Sequence, residues 1–300
     1  MIQDLKRTAI SLICLATALS GSTAWSDDET VIMERAPSGH FLLPVQINNG
    51  GPYTFLFDTG ASHTAIAQPV AESLGFQSVW AQTGDVQSLT TRFEAERFAL
   101  NSLQFARSGP VQINSVVIPA PEDSANPVVG LLGADAIISD QYSVDFSTGT
   151  LYLSGRIPEY ADGTVNPLGL LLSDASVRRG ISHINVIIDS GSARSIVNER
   201  LARYMRQRSH TVRFNINGVD DDIDMEAAPV TMRRFMIGGL CMNSFVALQA
   251  DLDVFDSLGW THEPAIVLGM DVLQYTTIHV DRETGRVQID AAGDGIDCRR

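Results

Sequence analysis

The sequence predicts a mostly β protein of two similar lobes with a few short helices. Three observations carry this reading. Short runs rich in Val, Ile, Leu, Phe and Thr alternate with turn residues along most of the chain, which is the pattern of many short strands. The phrase FLFDTGAS (55–62) returns as VIIDSGSA (186–193). A second phrase, VVGLLGADAI (128–137), returns as PAIVLGMDVL (264–273). A repeat of this kind defines the architecture before any single motif does. The chain has 300 residues, 44% of them hydrophobic, enough for one large domain or two smaller ones.

The first stretch reads as a targeting segment. Lys6 and Arg7 precede an apolar run at 9–19, and Ser22-Thr23-Ala24 supplies a small-residue cleavage site. Residues 1–24 are therefore expected to be a signal peptide, with an exported, periplasmic or secreted product; an uncleaved anchor is the rival reading. Removal would leave Cys241 and Cys298, which can form one disulfide in an oxidising compartment.

The first unit is expected over 30–155. NNGGP (48–52) is a hairpin candidate. After Asp58-Thr59-Gly60, apolar residues at helical spacing through Val70, Ala71 and Leu74 predict a short helix. STG (147–149) is a second hairpin turn. A connection is expected over 156–174, with Leu168 and Leu170 to Leu172 packing as a strand within it. The second unit follows over 175–292, with its own Asp189-Ser190-Gly191 turn, a helix through Leu201, Ala202 and Met205, and a turn at ETG (283–285). The two Asp turns lie 131 residues apart. Gly133 and Gly269, Asp135 and Asp271, and Asp145 and Asp281 are each 136 apart. So constant an offset indicates an internal duplication.

D-[TS]-G-[AS] after apolar residues, followed downstream by an apolar-apolar-Gly strand, resembles the aspartic peptidases. The resemblance covers most of the chain beyond the N-terminal segment. The DTGA spelling is similar to retropepsins, and the two copies in one chain are similar to the bilobal arrangement of pepsins. It implies a bilobal aspartic-protease fold of two retropepsin-like lobes with pseudo-two-fold symmetry. It also implies a catalytic dyad of Asp58 and Asp189, with Thr59, Gly60, Ser190, Gly191 and Ser192 supporting the two loops. By resemblance, the Thr59 and Ser190 hydroxyls tie the loops together, and flap hairpins carry Gly84 in the first lobe and Gly218 in the second.

The chemistry agrees with that residue set. Two facing carboxyls sharing one proton supply a base for water and an acid for the substrate. Gly beside each Asp lets backbone approach closely. Ala61 in the first copy stands against Ser192 in the second. A Ser192 hydroxyl donating to the carboxylate would make Asp189 the more readily ionised member.

Other chemistries find little support. The six histidines show no HExxH spacing, so a zinc site is not indicated, and no cofactor is expected. No serine sits in G-x-S-x-G. The acidic run at 220–224 lacks a calcium-loop pattern and reads as a solvated turn. The formal net charge of −14 disfavours nucleic acid and anionic membrane as partners. The expected partner is a peptide or protein substrate, with no stable membrane insertion and a monomer holding its dyad within one chain. Two alternatives stand: a catalytically silent peptide-binding cleft on the same scaffold, and units that each pair with another chain.

Overall fold

The computed structural model describes residues 29–77, 82–89, 92–107, 109–119, 128–154, 156–177, 181–205, 212–217 and 222–292. The expected signal peptide, Gly218 and Cys298 lie outside these residues. Cys241 is disulfide-bonded.

Strand dominates, as the sequence predicts, and two sheets form two barrel-like lobes. The first sheet has eight strands. Its centre pairs Gly50–Phe57 in parallel with Gly130–Leu132, which is antiparallel to Ala65–Ala67. Phe41–Ile47 pairs with Gly50–Phe57 on one side and reaches Arg92–Gln104 on another, curling the sheet. The second lobe repeats the arrangement inside a thirteen-stranded sheet. Ile181–Ile188 runs parallel to Ala265–Leu268, which is antiparallel to Ile196–Val197. The alternation that makes these strands also fills the core. In Phe41–Ile47, Val45 and Ile47 point inward while Pro44 and Gln46 point outward, the period-two pattern of a half-buried strand. Phe41, Phe55, Phe57, Phe146 and Phe235 are fully buried in one continuous core.

The expected hairpins are present. Asn48 and Asn49 both have positive φ in the two-residue turn after Phe41–Ile47, a conformation that Asn tolerates well. The helices Gln68–Ser73 and Glu199–Tyr204 are six residues each and follow the two Asp turns. Among the described residues, no helix is long and apolar enough to cross a membrane.

The stretch at 156–174 differs from a simple connection. Gly163–Val165 pairs with both Leu171–Val177 and Arg286–Ala291, weaving it into the large sheet. Leu168 is 57% exposed and sits in a turn, not a strand. There the Asn166 side chain accepts from the Leu168 and Leu170 N–H groups. This turn copies one in the first lobe. Ala36 N donates to His40 O and Gly39 N to Ala36 O, each at 2.9 Å; Asn166 N donates to Leu170 O at 3.0 Å and Gly169 N to Asn166 O at 2.9 Å. Gly39 and Gly169 both have positive φ. Ala36-Pro37-Ser38-Gly39-His40 therefore corresponds to Asn166-Pro167-Leu168-Gly169-Leu170, and the repeated structure begins before residue 166.

Gln141–Asp145 pairs antiparallel with Thr276–Asp281 and joins the lobes. Ser143 faces His279 at the centre of this pairing, and these residues are 136 apart. Each meets its own repeat equivalent, so the local two-fold passes through this pair.

Candidate active site

The two Asp turns end parallel strand pairs of identical build. Asp58 N donates to Leu132 O and Asp189 N to Leu268 O, both at 3.1 Å. A strand that pairs beyond its last residue ends at a fixed place, so each carboxyl is placed by ladder geometry. Behind each turn lies a buttress. Asp135 Oδ1 accepts from Thr64 N at 2.8 Å and Thr64 Oγ1 at 2.7 Å, and Thr64 Oγ1 accepts from Gly133 N at 3.2 Å. In the second lobe, Asp271 Oδ1 accepts from Ser195 N at 3.0 Å and Ser195 Oγ at 2.6 Å, and Ser195 Oγ accepts from Gly269 N at 3.1 Å. The repeat offsets pair these residues in the sequence, but that spacing alone did not reveal what they do.

Gly133 and Gly269 have to be glycine here. A Cβ on Gly133 would stand 2.6 Å from the His63 carbonyl carbon, and one on Gly269 would stand 2.6 Å from that of Arg194. The apolar-Gly strands thus lie directly beneath the Asp turns.

The turns meet through a closed ring of hydrogen bonds. Thr59 N donates to Ser190 Oγ and Ser190 N to Thr59 Oγ1, each at 3.0 Å. Thr59 Oγ1 donates to Ile188 O and Ser190 Oγ to Phe57 O, each at 2.9 Å. Thr59 and Ser190 are both buried. Each hydroxyl accepts once and donates once, so its single proton is committed to the ring.

This ring brings the carboxyls together. A Cβ on Gly60 would stand 2.5 Å from Asp189 Cγ, and a Cβ on Gly191 would stand 2.5 Å from Asp58 Cγ. Each turn's glycine is packed on the other turn's carboxyl. Gly60 N and Gly191 N each donate to the Asp of their own turn at 2.8 Å. The carboxyls of Asp58 and Asp189 are close enough that each perturbs the ionisation of the other.

Burial raises both carboxyls above the ordinary carboxylate range. For Asp58 the rise is opposed by the hydrogen bond from Asp189, by the Gly60 N–H and by the charge of His40. For Asp189 the charge on Asp58 adds to burial and holds it well above that range. Asp58 is also the more accessible, while Asp189 is 2% exposed. Burial and the facing charge thus hold Asp189 above Asp58, a direction opposite to the sequence expectation. Ser192 Oγ donates to Arg194 O at 2.8 Å, so the hydroxyl difference between Ala61 and Ser192 is spent on the loop backbone and not on Asp189.

Gln82–Gln87 and Arg92–Gln104 form a long hairpin in the first lobe. Gly84 lies in mid-strand, paired with Ala95, and not at a turn as expected. The pairing runs on to Gln87 and Arg92, which displaces the turn towards the second lobe. There Leu89 O accepts from Val254 N at 3.3 Å, and the Leu89 side chain packs with the cluster of Leu252, Val254 and Phe255. In the second lobe Val212–Asn217 pairs with Asp222–Ile237; Gly218 falls in the segment joining them.

A second acid–base cluster lies on the lobe-joining strands. Ser143 Oγ and His279 Nδ1 are 2.7 Å apart, and His279 Nε2 lies 3.3 Å from Asp290 Oδ2. Ser143 and His279 are buried, and Ser143 Oγ also accepts from Arg156 N. This cluster ties the lobes and presents no accessible nucleophile. Among the described residues, no group of three or more His, Cys, Asp or Glu is arranged to hold a metal.

Residues 43–136, spanning the first Asp turn and its buttress, match the family model described as aspartyl protease. Over these residues the chain is similar to the aspartic peptidases. No curated protein matches it. The matched segment ends at Ala136, just past Asp135, and the second lobe repeats the same local construction around Asp271 and Ser195.

Proposed function

We propose that the chain is an aspartic endopeptidase that hydrolyses peptide bonds with a water held between Asp58 and Asp189. The observation that carries this reading is the packing of each turn's glycine on the opposite carboxyl, which leaves the two acids sharing one proton. The ionised Asp58 takes a proton from water as the water oxygen adds to the scissile carbonyl carbon. Asp189 gives its proton to the carbonyl oxygen, yielding a neutral gem-diol. On collapse, Asp58 passes its proton to the leaving nitrogen and Asp189 recovers one from the gem-diol, restoring the starting pair. No covalent intermediate is needed. The first-lobe hairpin covers the bound peptide, and the enzyme works outside the cytoplasm as a single chain.

The test is cleavage of an unbiased peptide library from acidic to neutral pH by wild type, Asp58→Asn and Asp189→Asn. Wild type should cleave and both variants should lose activity by several orders of magnitude, since neither acid can replace the other. Cleavage surviving both substitutions would sink the dyad. A wild-type protein that binds peptides without cleaving them would establish the silent cleft instead.

A further inference from the structure

Two turns of the same build open the two lobes, and they differ where it matters for charge. The first carries Ser38 and His40; the second carries Leu168 and Leu170 at the corresponding places. The strands that follow keep the correspondence: Leu42 pairs with Leu56 two residues before Asp58, and Leu172 pairs with Ile187 two residues before Asp189. The first lobe therefore has an imidazole where the second has an aliphatic side chain.

His40 is held at one end and open at the other. Ser38 Oγ lies 2.9 Å from Nδ1. Nε2 is buried and closes no well-formed hydrogen bond, with the Gly191 backbone as the polar group beside it. The ring lies beside the Gly191 backbone of the second Asp turn, which is itself packed on the Asp58 carboxyl, and the Asp58 charge is the one that acts on it. The neighbouring cation, Arg35, is turned away, donating to Gln274 Oε1 at 2.8 Å and lying over the Phe41 ring. A buried ring nitrogen without a partner is costly unless a charge or a ligand answers it.

We propose that His40 is a positioning residue of the dyad: its charged ring selects Asp58 as the ionised carboxyl and leaves the proton on Asp189, and Leu170 at the copied place gives Asp189 no such support. The proposal rests on reading the two carboxyls as a working acid–base pair. Ser38 serves the ring in either state, since its hydroxyl accepts from Nδ1–H or donates to bare Nδ1. Burial lowers the His40 pKa and the Asp58 charge raises it. Below its own titration the ring is charged and favours Asp58 ionisation; above it that support is lost.

The decisive measurement does not need activity. The His40 imidazole is titrated by NMR in the full-length protein, in wild type, Asp58→Asn and Asp189→Asn. Asp58→Asn should lower the His40 pKa, because the charge facing it is gone, whereas Asp189→Asn keeps that charge and should not lower it. An unchanged His40 titration in Asp58→Asn would overturn the proposal. The second readout is the pH profile of kcat/KM in His40→Leu, which copies the second lobe, and in His40→Gln, which keeps a polar side chain. Both should move the acid limb to higher pH and lower kcat/KM on that limb by about tenfold, the low end of what a nearby opposite charge supplies. A lowered rate with an unmoved acid limb means a purely structural His40 and overturns the proposal. If wild type cleaves nothing, the peptidase reading fails separately, and the NMR comparison still decides the His40–Asp58 coupling.

Discussion

The ring joining Thr59 and Ser190 can be dissected by substitution. Ser190→Ala removes two hydrogen bonds, the acceptor for Thr59 N–H and the donor to Phe57 O. Each is worth about 1 kcal/mol net, and the Thr59 N–H left buried without a partner costs a further 1–3 kcal/mol or so. With Ser190 fully buried and Thr59 5% exposed, water has little access to repair the loss. The expected cost is roughly 3–5 kcal/mol of unfolding free energy. Thr59→Val, nearly isosteric, should cost a similar amount, whereas Thr59→Ser keeps both bonds and loses only a methyl group, about 1 kcal/mol. Urea unfolding followed by circular dichroism gives these values. The double variant Thr59→Val with Ser190→Ala should cost less than the sum of the singles by about 1 kcal/mol or more, because the first deletion already frees the turns. Peptide cleavage should fall with each deletion and recover in Thr59→Ser. A Ser190→Ala protein within about 0.5 kcal/mol of wild type, the range of an ordinary surface change, would refute the ring as the tie between lobes.

Further outcomes follow from the same geometry. Gly60→Ala places a methyl group 2.5 Å from Asp189 Cγ, so the carboxyls have to separate, and cleavage should drop by about 100-fold or more, as a misplacement of roughly 1 Å produces. Asp189→Asn should gain stability relative to wild type near neutral pH. A carboxyl whose folded pKa is raised stabilises the fold below its unfolded pKa and loses that contribution as pH rises through the folded pKa. The gain in Tm over wild type should therefore be larger at pH 7 than at pH 4, and an equal gain at both would contradict the raised pKa. Leu89→Ala should loosen the first-lobe hairpin from the helix at Asp253–Ser257, seen as faster amide exchange over 82–104 and a raised KM.

The paired Asp turns, the apolar-Gly strands and the mostly β class were legible because they obey periodicity and exact repetition. The features that break the symmetry were not. Ala36-Pro37-Ser38-Gly39-His40 and Asn166-Pro167-Leu168-Gly169-Leu170 share only Pro and Gly, at an offset of 130 where the aspartates are 131 apart. The similarity between them is in backbone conformation, fixed by hydrogen bonds and a positive φ, and the residues that differ include His40, whose charge acts on Asp58. Ser192 misled for a different reason: a hydroxyl beside a carboxyl has several acceptors within reach, and the Arg194 carbonyl takes it. Thr83-Gly84-Asp85 has turn composition, but cross-strand pairing from Gln82 to Gln87 overrides it, a tertiary effect that local composition does not encode.

The two-fold that passes through Ser143 and His279 also passes between Thr59 and Ser190, and at both places a residue touches its own counterpart. In an assembly of two identical chains, such an axis would force every neighbour of one carboxyl to be duplicated beside the other. Here the covalent continuity of one chain lifts that constraint. Specific activity should be flat on dilution, because no half of the site can diffuse away. One carboxyl can also be given an imidazole that the other lacks, a ratio of one base to two acids that a symmetric homodimer has no means to build.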